Sequence, residues 1–422
     1  MSQPFHKMKM PRANDLLLLA ISVLVLYAWP ATCTYTYYPV IFPVAKDAAS
    51  SLYTIPVRDG DNHVIDLAGP LLWSTCAGDH LPASYKCQDR ECKLANAYRP
   101  PGCRAAGQAC RKQCKAYPYN PITGQCAAAS LIHTRLIANT TDGKNTVTQA
   151  SIRAVGACAP SKLLARLPAG VTGVAGLAGS GLALPAQIAA SQHVANKFLL
   201  CLPKRGEGVA VFGGGPFFLP ETPQTDVTST LAYTPLHSRK GSPMYYLAVK
   251  GVDVNQTAVP FPAYALDAGG VVLCTRVPYT LLRPDVYRPF VNAFDKAMGR
   301  WNKDAKVPGV APFELCYRSS MLPNTRVGYG VPDVRIRLEG GKDWTFLGSN
   351  SMVDVNDKTA CLAFAEMKGA KPGDGKVPSM VIGGFQMENT VMQFDLEKQR
   401  LGFAKLPFFT ACSNFNFTNK SY

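Results

Sequence analysis

The side chains best placed to do chemistry are acids, thiols and asparagines. Asp66 closes an apolar run, Val64-Ile65, and enters a turn containing Gly69, with Trp73 seven residues further on. A carboxylate held at a strand end can act as a general acid or base. Cleaving a peptide with carboxylates alone takes two of them, close enough to share a proton, one activating water and the other protonating the carbonyl. Fourteen cysteines form the second group, eight of them between Cys76 and Cys158. Cys87-x4-Cys92 and Cys110-x3-Cys114 have spacings that suggest zinc in a cytosolic chain and disulfides in an exported one. Asn139, Asn255, Asn416 and Asn419 each open an Asn-x-Ser/Thr sequon, the acceptor pattern for N-linked glycans.

The compartment decides between these readings. Leu16 to Tyr27 is an apolar run of about a dozen residues, preceded by Lys7, Lys9 and Arg12 and followed by the small residues Ala28, Ala31 and Thr32. A membrane span needs roughly 18 or more apolar residues, and Pro30 ends this run too early. Residues 1–33 are therefore expected to be a secretory signal, and the cysteines after it to form disulfides. Cys33 falls in the cleavage region, which leaves an odd count of thirteen and one thiol without a partner.

The rest of the composition narrows the function. The 422 residues carry a formal net charge of +16, enough to raise nucleic acid as a partner. The basic residues are scattered, however, without a run or an aromatic-interleaved stripe. There is no His-Glu-x-x-His, P-loop or dinucleotide fingerprint, and the six histidines are dispersed. No metal, cofactor, nucleic-acid or membrane partner is expected, and the chain is expected to be a monomer.

Short β-type runs recur between Gly and Pro clusters, at Tyr53–Val57, Val64–Asp66, Gly208–Phe212, Tyr245–Val249 and Val381–Ile382. Helical patterns are confined to Ala186–Lys197 and Pro284–Met298, the latter with Val286, Phe290, Phe294 and Ala297 at helical spacing. The expected class is mostly β with a few short helices. Two lobes are expected: 34–235, rich in disulfides, and 236–422.

The run Val64-Ile-Asp-Leu-Ala-Gly-Pro-Leu-Leu-Trp73 resembles the first active-site loop of pepsin-like aspartic proteases. The same pattern continues through Gly173–Leu177, Leu184-Pro185, Phe198–Leu202, Val211–Gly214, Tyr245-Tyr246, Val381–Phe385, Gln393–Glu397 and Leu401–Phe403. The resemblance implies two β-barrel-like lobes flanking a cleft, each contributing one Asp loop of the form Asp-Thr/Ser-Gly-Thr/Ser. Here Leu67, Ala68 and Gly69 follow Asp66, so the first hydroxyl is lost. Aligning Gly269–Leu273 and Tyr279–Tyr287 with the segments around the second loop puts Cys274 on the second Asp, with Thr275 and Arg276 after it. Asp267, in Asp267-Ala-Gly269, is the alternative for that position. A thiol with a reference pKa near ~8.5 cannot complete a carboxylate dyad. An atypical aspartic endopeptidase would need Asp66 with Asp267 or another acid.

Within that group the chain is most similar to the plant TAXI-type xylanase inhibitors. The matching stretches are Asp66–Cys76, Ala97-Tyr98 with Pro101–Cys103, Ala116–Pro121, Ala138–Gly143, Ala159–Leu164 and Leu282–Pro289. This resemblance implies six disulfides among Cys76, Cys87, Cys92, Cys103, Cys110, Cys114, Cys126, Cys158, Cys201, Cys316, Cys361 and Cys412, including Cys201–Cys412 and Cys316–Cys361, with Cys274 left free. It also implies a secreted, extracellular defence glycoprotein of the apoplast or cell wall, which blocks microbial family 11 endo-β-1,4-xylanases without proteolysis. In such inhibitors a histidine in Leu-Pro-His-Phe-Thr-Gly-Cys reaches between the two catalytic carboxylates, and a leucine fills a sugar subsite. The corresponding residues are Phe408, in Leu406-Pro-Phe-Phe-Thr-Ala-Cys412, and Leu322. A phenyl ring cannot make the ionic contact, a loss of roughly 2 to 5 kcal/mol. Another glycosidase (a glucanase, for instance) or a cell-wall ligand is therefore the alternative target, and a storage role a further one.

Overall fold

Period-two burial is clearest in strand Tyr53–Arg58, where Tyr53, Ile55 and Val57 are buried and Thr54, Pro56 and Arg58 are half-exposed. The computed structural model describes residues 37–422, apart from 59–60, 76–80, 99–102, 104–113, 301, 408 and 416–422. The expected signal at 1–33, Cys33, Cys76, Cys110, Phe408, Asn416 and Asn419 lie outside the described residues. Tyr38–Tyr422 forms one unit, mostly β, with its helices short and few.

The five expected β runs are strands, extended by a few residues: Tyr53–Arg58, Asp61–Asp66, Glu207–Phe212, Ser242–Leu247 with Val249–Val254, and Met380–Ile382. Helix Pro284–Gly299 has Pro at its first turn and buries Val286, Tyr287, Phe290, Phe294, Ala297 and Met298 along one face. The other expected helix runs Leu184–Gln192 and stops short of Lys197. His193 takes a left-handed conformation there (φ 53°), and Lys197 already begins the next strand.

Two copies of one strand arrangement carry the candidate site. In the N-terminal half, Asp61–Asp66 lies parallel to Val171–Gly176, which is antiparallel to Leu72–Thr75, itself parallel to Thr146–Ala159. In the C-terminal half, Val271–Leu273 lies parallel to Met380–Ile382, which is antiparallel to Thr280–Leu282, itself parallel to Phe364–Glu366. A sheet shared by both halves joins them, because Thr390–Asp395 and Arg400–Lys405 pair with Lys197–Cys201 and Ala232–Pro235. The C-terminal strands thus return to the N-terminal half, where the Cys201–Cys412 disulfide anchors the end of the chain. Cys316–Cys361, Cys92–Cys114 and Cys103–Cys126 are also bonded, and Cys87 and Cys158 each take part in a disulfide of their own. With Cys87, Cys92 and Cys114 in disulfides, those thiols are not free to bind a metal as thiolates.

Both sequons within the described residues lie on β hairpins. Asn255 and Gln256 form a two-residue turn with φ of 46° and 62° between strands registered Val254 to Thr257. Asn139 is half-buried near the end of the long strand Ala129–Thr141.

Candidate functional site

Asp66 ends its strand fully buried, and the turn after it is tight. The carbonyl of Asp66 accepts from Gly69 N at 3.0 Å and from Leu177 N at 2.8 Å. A Cβ at position 69 would come within 2.9 Å of Gly176 Cα and 3.1 Å of Asp66 Oδ2, so the chain passes closely only because glycine stands there. The repeat in topology places Cys274 in the equivalent position: Ile65 pairs with Ala175 as Leu273 pairs with Ile382, and Cys274 N donates to Ile382 O at 3.0 Å.

The two loops are held together from one side. Thr275 Oγ1 donates to Ile65 O at 2.8 Å and accepts from Leu67 N at 3.2 Å. Leu67, which lacks a hydroxyl, is instead fully buried in the main hydrophobic core. Asp267 is an exposed turn residue before strand Val271–Leu273, its carbonyl accepting from Gly270 N and Arg239 Nη2. It has no contact with Asp66.

Asp66 is fully engaged, and not by an acid. Its Oδ1 accepts from Ala68 N at 2.9 Å and lies 3.5 Å from Arg276 Nε, and its Oδ2 accepts from the Tyr119 hydroxyl at 3.1 Å. Arg276 Nη1 donates to the same hydroxyl at 3.1 Å, and Trp73 Nε1 fixes Tyr119 through its carbonyl at 3.1 Å. Burial, and then the Asp66 charge, push the Tyr119 phenol far above its usual pKa, so it stays protonated and donates. Burial works to lower the pKa of Arg276, but Asp66, Cys274 and Tyr119 together hold it above its usual value. The result is a carboxylate neutralised by a guanidinium and a phenol, beside the buried thiol of Cys274. Such a group has no second carboxyl among its contacts with which to share a proton. Tyr119 was not anticipated as a site residue; it lies 53 residues from Asp66 and 157 from Arg276, with no local pattern linking them.

Leu322 corrects an expectation. It is 5% exposed and packs in the main core after the turn Ser319–Met321, so this side chain does not project toward a partner. Leu322→Ala is expected to lower the unfolding free energy by about 2–4 kcal/mol in a urea titration. A change below about 1 kcal/mol would contradict its core role. The residue beside Phe408 is the accessible one: Phe409 is 82% exposed at φ 68°, with Arg326 of the hairpin Asn324–Tyr329 5.3 Å from its ring centroid.

A cavity of about 880 Å³ opens elsewhere, between helix Arg90–Ala95, the long hairpin at His133 and Arg153, helix Leu184–Gln192 and the segment Leu236–Tyr245. Glu91 is the one carboxylate in its lining.

Models of the xylanase inhibitor N-terminal and C-terminal domains match residues 53–214 and 244–405. The chain belongs to the xylanase-inhibitor family. Curated relatives of this family member include "Chitinase CLP" of Oryza sativa subsp. japonica, 51% identical and covering 90% of this chain and 92% of its own. "Probable aspartic proteinase GIP2" of Nicotiana benthamiana is 32% identical with the same coverage. Among solved structures, "Crystal structure of edgp" superposes with a TM-score of 0.79 at 30% identity, covering 91% of this chain and 100% of the other. Basic 7S globulin from soybean does so at 0.74 and 27%, with the same coverage. The fold is thus the bilobal pepsin-like one, and the family member carries its first Asp loop in a neutralised form.

Proposed function

We propose that this family member is a secreted, non-proteolytic protein that binds and inhibits a microbial glycoside hydrolase, with family 11 endo-β-1,4-xylanases the leading target. The observation that carries the non-proteolytic part is the engagement of Asp66 by Arg276 and Tyr119, with Cys274 where the repeat would put the second Asp. The disulfides support an oxidising, extracellular location. The xylanase-inhibitor models over both halves support the target class. The exposed Phe409, next in sequence to position 408, and the exposed Arg326 over its ring support that edge as the contact surface.

The test is a titration of the full secreted protein against glycoside hydrolases of families 10, 11 and 12, reading residual activity and direct binding together. Selective inhibition of a family 11 xylanase is the expected result, and silence across the panel would sink the target. Phe408→His is expected to tighten binding by at least about tenfold, since an imidazolium between two carboxylates gains charge-assisted hydrogen bonds. Unchanged affinity would exclude that contact. Peptide cleavage at acid pH that is lost in Asp66→Ala would overturn the non-proteolytic reading.

A second reading rests on the 51%-identical relative whose name is a chitinase. Most glycosidases use two carboxyl groups roughly 5 to 9.5 Å apart, whereas substrate-assisted ones keep a carboxyl acid and take the nucleophile from the substrate's own acetamido group. The large cavity has Glu91 as its one carboxylate, which fits only the substrate-assisted route, and the xylanase-inhibitor models over both halves favour inhibition. Turnover of chitin oligomers in the same assay would reverse that preference.

A further inference from the structure

We propose that the cavity beside the long hairpin binds a short acidic oligosaccharide, with Arg90, His133 and Arg153 as its anion-recognising wall. The wall follows from strand register. His133 stands opposite Val155 and Arg135 opposite Arg153, so His133, Arg135 and Arg153 share one face of the hairpin. Like charges directly opposite one another destabilise a sheet. Neither arginine has an ion-pair partner among the described residues, and Arg90 at the start of its helix has none either. The lining therefore presents two guanidiniums without ion pairs and the imidazole of His133 against the single lining carboxylate of Glu91, the second imidazole, His237, being held by Glu339 at 2.6 Å. Carboxylates of a ligand, held in forked hydrogen bonds, would remove that imbalance.

A second observation sets the rest of the chemistry. Asn196 lines the same cavity, and its Oδ1 is buried without a hydrogen-bond partner, an arrangement that costs free energy until a donor arrives. Ser180 and Ser238 offer further hydroxyls, and Tyr98 a ring face. Dense hydroxyl donors, a carboxylate and a flat apolar face occur together in a uronic acid unit. The volume of about 880 Å³ lies within the range of small-ligand sites, roughly 300–1,000 Å³, and would hold a few sugar rings but not a folded partner.

The proposal is independent of the inhibitory reading and is tested on the full chain by calorimetric titration with trigalacturonate. Saturable binding is expected, weakened at least about tenfold in Arg153→Ala and in Arg90→Ala, both exposed positions. Lys358→Ala, exposed in the other half of the chain, is expected to leave binding unchanged. Equal weakening by Lys358→Ala would mean general attraction to a basic protein and would overturn the proposal. So would absence of saturable binding. Neutral galactotriose or triglutamate binding as tightly as trigalacturonate would overturn it too, the first by removing the anion and the second by removing the sugar.

Discussion

Arg283→Met is expected to lower the unfolding free energy by about 3–5 kcal/mol, the typical result of removing one partner of a buried ion pair. Arg283 is fully buried at the start of helix Pro284–Gly299. Its Nε and Nη2 donate to Asp285 at 2.7 and 2.9 Å, and its other contacts reach the carbonyls of Ala265, Ala268, Asp374 and Val377 at 2.7 to 3.3 Å. One side chain thus ties the turn containing Asp267 and the segment around Asp374 to the helix. Methionine matches the volume but leaves the carbonyls and the Asp285 carboxylate without donors. The loss has a pH signature. Burial acts to raise the pKa of Asp285, but hydrogen bonds and charge from Arg283, with the Gly373 N–H, outweigh it and hold the acid below its ordinary value. A depressed acid contributes stability above its unfolded pKa and loses it as pH falls through the folded one. The difference between wild type and variant should therefore narrow below about pH 4. Urea titrations at pH 7 and pH 3.5 check this, and a pH-independent gap would mean that lost packing, not charge, is the cause.

Arg276→Ala is expected to cost about 2–4 kcal/mol at neutral pH, because Asp66 stays buried with its charge opposed only by Tyr119 and the Ala68 N–H. Asp66→Asn in the same background removes the stranded charge and is expected to recover most of the loss. If Arg276→Ala proves neutral while Asp66→Asn alone is costly, the ion pair contributes nothing and Tyr119 is the partner that matters.

The route from sequence to fold was short where burial is periodic. Tyr53–Arg58 and Pro284–Gly299 declare their faces locally, and the ordered blocks from Val64 to Phe403 correspond to a known bilobal architecture. Helix Leu184–Gln192 was overestimated because His193 turns left-handed, a tertiary choice that no helical spacing reveals. Leu322 is the residue that corresponds to the family's subsite-filling leucine, a correspondence of position alone, and the packing after the turn Ser319–Met321 puts its side chain inside.

The order of residues alone already implied a β-rich, disulfide-stapled chain whose first Asp loop had lost its hydroxyl, since those properties are local in residue type and spacing. The pairing of Asp66 with Arg276, the role of Tyr119 between them and the facing of Arg135 by Arg153 belong to the folded state. The first two join residues far apart in the chain, Tyr119 lying 53 residues from Asp66 and 157 from Arg276, and the contact with Arg276 exists only once the two halves have brought their loops together; the third is set by the register of one hairpin.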